Sequence, residues 1–486
     1  MSILDAFEDH DALGLGALVS EGEVTPGELL DAALTRAGAL NGKLNALVLL
    51  QEDVARRHIE EGLPQGPFTG VPFLLKDLGA EAVEFPSHCG SKLLAGTHYA
   101  RNSSLFERIR QTGLVTFGRT TAPEGGVGPV TEAGVYGAPT RNPWALDRTP
   151  GGSSGGAGAA VAAGIVPAAH GSDGGGSIRI PASCCGLVGF KGTRARIPDG
   201  PYAGEGWAGM AIEGFLSRSV RDTAALMDAA QGPDLGAPYY PPPLRGTYME
   251  AIERPPRQLR IAIVTGTFAG DVIHIDCREA VEQSARLLED LGHIVEEALP
   301  AVDVDGMMRA WTRIVACGTA LWVRSTVTRR GRALEEGEIE PVTQLACRYA
   351  EGLGGADYLQ SVETVHAFGR DMAKFFERYD ILVSATLAEP PAPIGRFAGP
   401  FANFEEYRMG ERGIFPYSPF TAAFNASGQP AVSLPLHWSA EDLPIGVHFA
   451  AAFGEDELLM SLAAQLERAR PWFHRRPPAA NRYATQ

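Results

Sequence analysis

Hydrophobic residues along the chain alternate between short apolar runs and longer segments with helical spacing. The first sixty residues have helical spacing, and one helix is expected to begin with Thr25 as N-cap, Pro26 at its first position and Glu28 in a capping box. Gly42 is its expected end. The runs "VPFLLK" and "LVTFGRT" then predict strands, and the amphipathic "SSLFERIRQTG" between them predicts a helix. This alternation predicts an α/β protein.

The second half of the chain repeats the alternation. "RIAIVTG" and "HIVEEALP" predict strands on either side of the helix "DCREAVEQSARLLEDLG", and residues 306–332 have helical spacing. "YDILVSATL", "PAVSLPLHW" and "LPIGVHFAAAF" predict late strands at the edges of the same sheet, which favours one large domain. Between the halves, "GAAVAAGIVPAAHGSD" predicts a helix of small residues, and "SIRIPASCCG" has strand-like character.

Composition excludes several classes of function. Apolar residues make up 45% of the 486 positions and charged residues 21%, which is typical of a soluble globular protein. The net charge of −16 argues against binding to nucleic acid or to an anionic membrane, because both need a basic surface. The N-terminal "MSILDAFEDHDALGLG" is acidic where a secretion signal is basic, and no apolar run is long enough to span a bilayer. We therefore expect a cytoplasmic protein.

The cysteines and histidines predict no metal site and no cofactor. The six cysteines are scattered, and the adjacent pair Cys184 and Cys185 suits no ordinary disulfide framework. Neither a C-x-x-C motif nor a histidine pair at metal-ligand spacing is present in the sequence. The thiols are expected to be small buried side chains in a reducing compartment.

A lysine stands where an apolar residue is expected. In "GVPFLLKDLG", Lys76 ends an apolar run. One interpretation is a side chain that extends its ammonium group to solvent. The other is a buried lysine whose pKa is lowered by desolvation, which makes the neutral amine a usable base.

Two serines lie among glycines in "PGGSSGG", just before a predicted helix. The segment lacks the lysine of a phosphate-binding loop. Ser154 fits the G-x-S-x-G nucleophile pattern, but that pattern needs a strand directly before it, and "PTRNPWALDRTP" is not strand-like. The match is therefore interpreted as accidental.

A second glycine-rich segment, "SDGGGSIRIP", has three glycines directly before Ser177. Consecutive glycines let backbone N–H groups converge on one point, as an oxyanion hole requires. A flexible linker is the alternative, which the apolar residues that follow make less suitable.

These motifs together resemble the amidase signature family. Residues 151–193 match its signature, "GVPFLLKD" its lysine motif, and "FNASGQPAVSLP" with "LPIGVHFAA" its C-terminal segment. Through "TRNPW" and "PWFHRRP" the chain is also similar to the 6-aminohexanoate-cyclic-dimer hydrolases of that family. The resemblance covers essentially the whole chain. It implies a large, mixed, mostly parallel sheet with helices on both faces, and one domain with N-terminal helices (1–63), a signature core (64–235) and a part that completes the sheet (236–486).

The resemblance also implies a Ser–Ser–Lys triad. Lys76 would be the base, Ser153 the bridging serine on a cis peptide, and Ser177 the nucleophile. The implied oxyanion donors are the N–H groups of Gly174, Gly175, Gly176 and Ser177. Gly174 departs from the threonine or isoleucine that the family often has, which could loosen this loop. Asp173 and Arg179 are expected to brace the loop rather than react.

The implied function is hydrolysis of an amide C–N bond through an acyl-enzyme. A small-molecule amide is the expected partner, with an aminoalkanoate amide, an aryl amide, a carbamate or an ester all open, and the protein is expected to be a monomer or homodimer. Trp311, Cys317 and Asn425 are the candidates for the substrate pocket. The alternatives are the glutaminase-type subunit of a tRNA-dependent amidotransferase, a catalytically silent binding protein, or a serine hydrolase driven by a histidine, for which His170 is nearest in sequence to the nucleophile.

Overall fold

The structure is a computed structural model that describes residues 7–480. Its strands are β1 Leu47–Leu50, β2 Pro72–Lys76, β3 Val115–Thr120, β4 Ala168–Asp173, β5 Val188–Lys191, β6 Ile212–Ser217, β7 Arg260–Ile263, β8 Ile294–Glu297, β9 Ile381–Ala385, β10 Ala431–Trp438 and β11 Pro444–Ala451. Within the described residues these eleven strands form one sheet in the order β1-β3-β2-β4-β6-β5-β10-β11-β9-β7-β8.

The helices fill the connections between the strands. They are α1 Ala12–Ser20, α2 Pro26–Leu44, α3 Glu52–Glu61, α4 Ser104–Gln111, α5 Gly155–Ala162, α6 Arg179–Cys185, α7 Val220–Ala230, α8 Tyr248–Glu253, α9 Ile275–Asp290, α10 Val304–Arg330, α11 Pro341–Glu351, α12 Gly355–Phe375, α13 Phe404–Met409, α14 Ile414–Tyr417, α15 Ala422–Ala426 and α16 Asp456–Ala469. Helix α2 has the predicted capping box of Thr25 and Glu28, but it continues past Gly42 and ends at Asn45, which adopts a left-handed conformation.

The sheet is mixed, as expected, but antiparallel pairing predominates where mostly parallel pairing was predicted. Among the described strands, six neighbouring pairs are antiparallel and four are parallel. One physical reason is the short loop 439–443 between β10 and β11, since a connection of this length joins only antiparallel neighbours. These two strands lie inside the sheet and not at its edges, as does β9.

Helices cover both faces of the sheet around its centre. Every residue of β2, β4, β9 and β11 is buried. Because successive side chains of a strand point to opposite faces, a fully buried strand must be covered on both. Helices α6, α9 and α16 pack on β11. The three-part division of the chain stays a prediction, although strands from all three parts share the sheet.

Three segments have a secondary structure that differs from the predicted one. The segment predicted as one helix of small residues is α5 followed by strand β4, because Gly164, with φ of 71°, and Pro167 separate them. The strand-like "SIRIPASCCG" contains helix α6. The N-terminal helical region also contains strand β1, which pairs with β3.

Within residues 7–480, no helix combines the length and the apolar character needed to cross a membrane. The six cysteines are all free thiols, and Cys184 and Cys185 are both buried. No group of three or more histidine, cysteine, aspartate or glutamate side chains in this part of the chain is arranged to hold a metal ion.

Candidate active site

The sheet topology brings the polar ends of three strands together. Strands β2 and β4 are parallel neighbours, so Lys76 at the end of β2 lies beside Ser172 near the end of β4. Strand β6 runs antiparallel to β4 and places Glu213 opposite Ser172. Lysine, serine and glutamate therefore meet at one end of the central strands.

Lys76 is buried, and its amine contacts two serines. Nζ of Lys76 lies 2.7 Å from Oγ of Ser153, 2.8 Å from Oγ of Ser172 and 3.5 Å from the Ser172 carbonyl oxygen. The side chain has no exposed surface. A neutral amine has two N–H donors and one lone pair, so these contacts satisfy it when Ser172 accepts and the Ser153 hydroxyl donates. The interpretation as an ammonium group that reaches solvent is therefore wrong.

Burial sets the protonation of this cluster. Desolvation lowers the pKa of Lys76 to about 7, although the nearby carboxylates of Glu213 and Asp173 act in the opposite direction. Desolvation also raises the pKa of Glu213 to about 7, opposed by the charge of Lys76. Near neutral pH, Lys76 can therefore lose its proton, and its neutral amine is available as a base.

His170 connects the lysine strand to the glutamate. The backbone N–H of Lys76 donates to Nδ1 of His170 at 3.2 Å, so the ring proton lies on Nε2, which is 2.7 Å from a carboxylate oxygen of Glu213. Burial lowers the pKa of His170 well below its ordinary value. His170 is a buried, neutral, hydrogen-bonded side chain that holds the end of β2.

The two serines of the first glycine-rich turn, Ser153 and Ser154, have different surroundings. The peptide bond between Gly152 and Ser153 is cis, and the Ser153 side chain lines the cavity described below. Ser154 has no exposed surface, and its Oγ both accepts from the Ser172 N–H and donates to the Ser172 carbonyl at 3.2 Å. Ser154 thus fastens the turn to β4, which agrees with its rejection as a nucleophile.

The second glycine-rich turn carries Ser177 between β4 and α6. The Ser154 N–H donates to the Ser177 carbonyl at 3.1 Å, which joins the two turns. Of the four N–H groups expected as oxyanion donors, that of Gly176 already donates to the Asp173 carboxylate at 2.7 Å. The N–H groups of Gly174, Gly175 and Ser177 have no acceptor within the residues that the structure describes.

Two tryptophans explain why this turn needs glycine. A Cβ at Gly174 would collide with the indole of Trp207, and one at Gly175 with the indole of Trp311. Gly176 has φ of 127°, a conformation that favours glycine. The departure at Gly174 therefore does not leave the loop loose, because Trp207 covers the space that a larger residue would fill.

A buried ion pair between Arg179 and Asp173 holds this turn in place. Arg179 binds both carboxylate oxygens of Asp173 at 2.9 Å, and neither side chain is exposed. The Asn425 amide donates to Asp173 and accepts from Arg179 at 2.6 Å. The neighbouring Arg179 holds the pKa of Asp173 below its usual range. Asp173 and Arg179 brace the loop as expected, and Asn425 belongs to the same network.

Two cavities meet at Ser177. The larger, of about 230 Å³, is lined by Ser153, Ser172 and Ser177 and by the carboxylates of Glu81, Asp199 and Glu213. The smaller, of about 30 Å³, is lined by Ser177 and Gly175 together with aromatic side chains and Arg408. Trp207 borders both cavities. Ser177 therefore lies where a substrate could enter from two sides.

The three residues expected in the substrate pocket have different surroundings. Trp311 lines the smaller cavity. Asn425 is 1% exposed and lies in the network under the loop, so it is not on a cavity wall. Cys317 is half-buried on α10 and borders neither cavity.

Four residues of the site were missed by the sequence analysis. Ser172 precedes the glycine triplet at the end of β4, and Glu213 is a lone carboxylate in the apolar run "MAIEGFLS", a signal that resembles the one noticed for Lys76. Trp207 comes from a segment without a distinctive pattern, and Arg408 is one of several charged residues in the aromatic-rich "PFANFEEYRMGERGIFPYSPF", a candidate pocket wall. Only the fold shows that both border the cavity at Ser177.

Known amidases are similar to this chain in sequence. The chain matches the family described as "Amidase" over residues 28–460. It is 36% identical over 490 residues to the 6-aminohexanoate-cyclic-dimer hydrolase of Paenarthrobacter ureafaciens, and the alignment covers 99% of this chain and 98% of the relative.

Solved structures of amidases are also similar to this chain. The structure of a 6-aminohexanoate cyclic dimer hydrolase complexed with substrate matches with a TM-score of 0.91 and 34% identity, over 99% of this chain and 100% of the other. A bacterial aryl acylamidase matches with a TM-score of 0.87 and 26% identity, over 98% and 99% of the two chains. The chain therefore belongs to the amidase signature family, whose members hydrolyse amide C–N bonds.

Proposed function

We propose that the protein is a serine amidohydrolase in which Ser177 is the nucleophile, Ser153 relays a proton and Lys76 is the base. The observation that carries the proposal is the 2.7 Å contact between Nζ of Lys76 and Oγ of Ser153, in a cavity that Ser177 also lines. A serine hydroxyl needs an adjacent base to attack an amide. The pKa of Lys76, lowered to about 7 by burial, makes its amine suitable for that role near neutral pH.

In the first step the Ser177 oxygen bonds to the amide carbon. Its proton moves to Ser153, whose own proton moves to Nζ of Lys76. The carbonyl oxygen becomes an oxyanion, and we assign its stabilisation to the N–H groups of Gly174, Gly175 and Ser177. We leave Gly176 out, because its N–H is held by Asp173. Preorganised N–H donors of this kind contribute about 10²–10³ in kcat each.

In the second step the C–N bond breaks. The proton on Lys76 returns through Ser153 to the leaving nitrogen, which departs as a neutral amine and leaves an acyl ester on Ser177. Water then attacks the ester carbon, with the same pair removing its proton, and the acid is released as Ser177 regains its hydrogen. Acylation and deacylation, each taken as a whole, therefore begin and end with a neutral lysine.

The substrate class follows from the relatives and from the cavity. Relatives named for hydrolysis of a cyclic aminohexanoate dimer and for acylamidase activity support aminoalkanoate amides and aryl amides as substrates. Esters and carbamates with the same acyl groups are further candidates, since they require the same attack on a carbonyl carbon.

Replacement of the nucleophile tests the proposal. We expect Ser177→Ala to lose amide hydrolysis by about 10⁴-fold or more, because no other atom can form the acyl bond. A sulfonyl or phosphonate serine probe should add one adduct to the wild-type protein, and peptide mapping should place it on Ser177. The purified protein would be assayed with a panel of amides, anilides, carbamates and esters.

Ser284→Ala is a matched control, because Ser284 is buried on α9 and its hydroxyl only donates to the Ala280 carbonyl at 2.8 Å. It should keep wild-type turnover. An adduct on Ser154, or a Ser177→Ala protein with a tenth or more of wild-type turnover, would overturn the assignment.

A further inference from the structure

Arg408 is a buried cation that has no anionic partner among residues 7–480. It lies on α13, is 2% exposed and lines the smaller cavity beside Ser177. Its Nε and Nη2 atoms are buried and have no hydrogen-bond partner within the described part of the chain. A buried charge normally needs a pairing group, since its desolvation is otherwise uncompensated.

Aromatic rings surround Arg408 and supply no oxygen acceptor for its N–H groups. The guanidinium carbon lies 4.0 Å from the ring centroid of Trp311 and 4.8 Å from that of Phe415. Cation–π contacts at these distances offset part of the cost of burying the charge, but the N–H donors still need acceptors. The buried indole Nε1 of Trp311 is a further donor with no partner among the described residues.

The smaller cavity therefore presents unpaired donors and no negatively charged acceptor among its lining residues. No aspartate or glutamate is among its lining residues. Its volume of about 30 Å³ has room for about two water-sized groups, comparable to the two oxygens of a carboxylate. A carboxylate matches the fork of a guanidinium and is the ligand that arginine binds most specifically.

The larger cavity has the opposite chemistry. Its walls carry the carboxylates of Glu81, Asp199 and Glu213, and no lysine or arginine is among its lining residues. Desolvation and the neighbouring Glu213 and Glu81 raise the pKa of Asp199 to about 8, so a further anion there is disfavoured. A substrate carboxylate is thus directed to the Arg408 side of Ser177.

The proposed mechanism fixes which part of the amide occupies each side. Ser153 lines the larger cavity but not the smaller one. Because Ser153 delivers the proton to the leaving nitrogen, the amine part must lie in the larger cavity. The acyl part then points towards the smaller cavity, which its terminal group can enter.

From this arrangement, and resting on the proposed function, we infer that Arg408 binds a carboxylate at the far end of a short acyl group. The substrate class is then the monoamide of a short dicarboxylic acid with a neutral or cationic amine, in preference to an aminoalkanoate amide, whose acyl part ends in an ammonium group that Arg408 would repel. Arg408 acts here as a specificity-determining residue, since it contacts the substrate but not the reacting bond.

Binding to the Ser177→Ala protein tests this inference without turnover. The probes are two pairs of anilides with acyl groups of equal length, succinyl against butanoyl and glutaryl against pentanoyl, measured by calorimetry. We expect at least one acid to bind about 10- to 100-fold more tightly than its neutral partner, as a charge-assisted pair would give. In Ser177→Ala/Arg408→Met that preference should vanish, and Arg408→Lys should retain part of it.

Arg475→Met is the matched control, because Arg475 also stacks on a tryptophan, 4.2 Å from the ring centroid of Trp438, but borders neither cavity. It should leave the preference unchanged. Equal binding of acid and neutral anilide with Arg408 intact would overturn the inference even if the Met variant failed to fold. So would a preference that survives Arg408→Met. Failure of the proposed function would appear separately, as turnover of the neutral anilides by wild type that does not depend on Ser177.

Discussion

At the scale of single residues, the proposed mechanism makes activity depend on the proton of Lys76. The amine is buried beside two serine hydroxyls, and its pKa of about 7 reflects desolvation that nearby carboxylates only partly offset. Below that pH the lysine is protonated and cannot accept the proton of Ser153. Above it, the neutral amine is the predominant form.

We therefore expect kcat/KM for amides to rise with pH through an apparent pKa near 7 and then level off. Lys76→Ala should lower kcat/KM for amides by about 10²–10⁴-fold, and for esters by less, because an alkoxide leaves more readily than an amine. Lys76→Arg should be nearly as inactive, since a guanidinium keeps its proton at working pH. Steady-state pH profiles on an amide and an ester with the same acyl group provide the measurement.

The control for Lys76 must be a histidine outside the site. His170 is nearest in sequence to Ser177, but it accepts the Lys76 N–H and binds Glu213, so its loss would disturb the base as well. His437 lies at the end of β10, contacts Gln283 on α9 and borders neither cavity, so it is the better choice. Loss of activity in His437→Ala, together with retained activity in Lys76→Ala, would contradict a lysine-driven mechanism.

Glu213 should tune the same titration. Its carboxylate raises the pKa of Lys76, because a negative charge favours the ammonium form. Glu213→Gln removes that charge, so the pKa of Lys76 should fall and the acidic limb of the pH profile should move to lower pH. Glu467→Gln, at a half-buried carboxyl on α16 that accepts from the Val220 N–H, should leave the limb in place. A limb that moves to higher pH would mean that Glu213 acts through another group.

At the scale of elements, glycine has different roles in two helices. In α5 a Cβ at Gly156 would collide with the backbone and hydroxyl of Thr121, so this helix can approach β3 only with glycine there. In α2 the exposed Gly42 has nothing within 4 Å of an added Cβ. Replacement of glycine by alanine should therefore change the stability of the protein in opposite directions at the two positions.

We expect Gly156→Ala to lower the free energy of unfolding by about 1–3 kcal/mol, as overpacking does. Gly42→Ala should raise it by about 0.5–1 kcal/mol, because alanine loses less backbone entropy in a helix interior. Denaturant titration of both variants and wild type would measure these changes. A stabilised Gly156→Ala protein would show that α5 has room to move, contrary to its packing against Thr121.

At the scale of the whole molecule, the sequence predicted what is local and repeated. The capping box of α2, the apolar strands β2 and β3, and the glycine-rich turns could all be identified, because their signals lie within a few neighbouring residues. The position of Lys76 beside Ser153 came from a resemblance, since nothing local joins residues 77 positions apart.

Other features depend on partners that are distant in the chain. Strand β4 was mistaken for a helix because its extended conformation is set by pairing with β2 and β6, and not by the intrinsic propensity of its small residues. The interior position of β10 and β11 follows from neighbours contributed by both halves of the chain. Asn425 was expected in the pocket, but it hydrogen-bonds to Asp173, 252 positions away.

The last prediction separates a free amidase from a subunit of a tRNA-dependent amidotransferase. The net charge of −16 gives a surface that repels the phosphate backbone, and the proposed triad comes from this chain alone. We therefore expect the purified protein to hydrolyse a neutral anilide without a partner, and to bind no tRNA in a filter assay at physiological salt. Added tRNA should leave the rate unchanged. Hydrolysis of glutamine that required tRNA or a second protein would favour the amidotransferase subunit, and anilide turnover would then be absent or incidental.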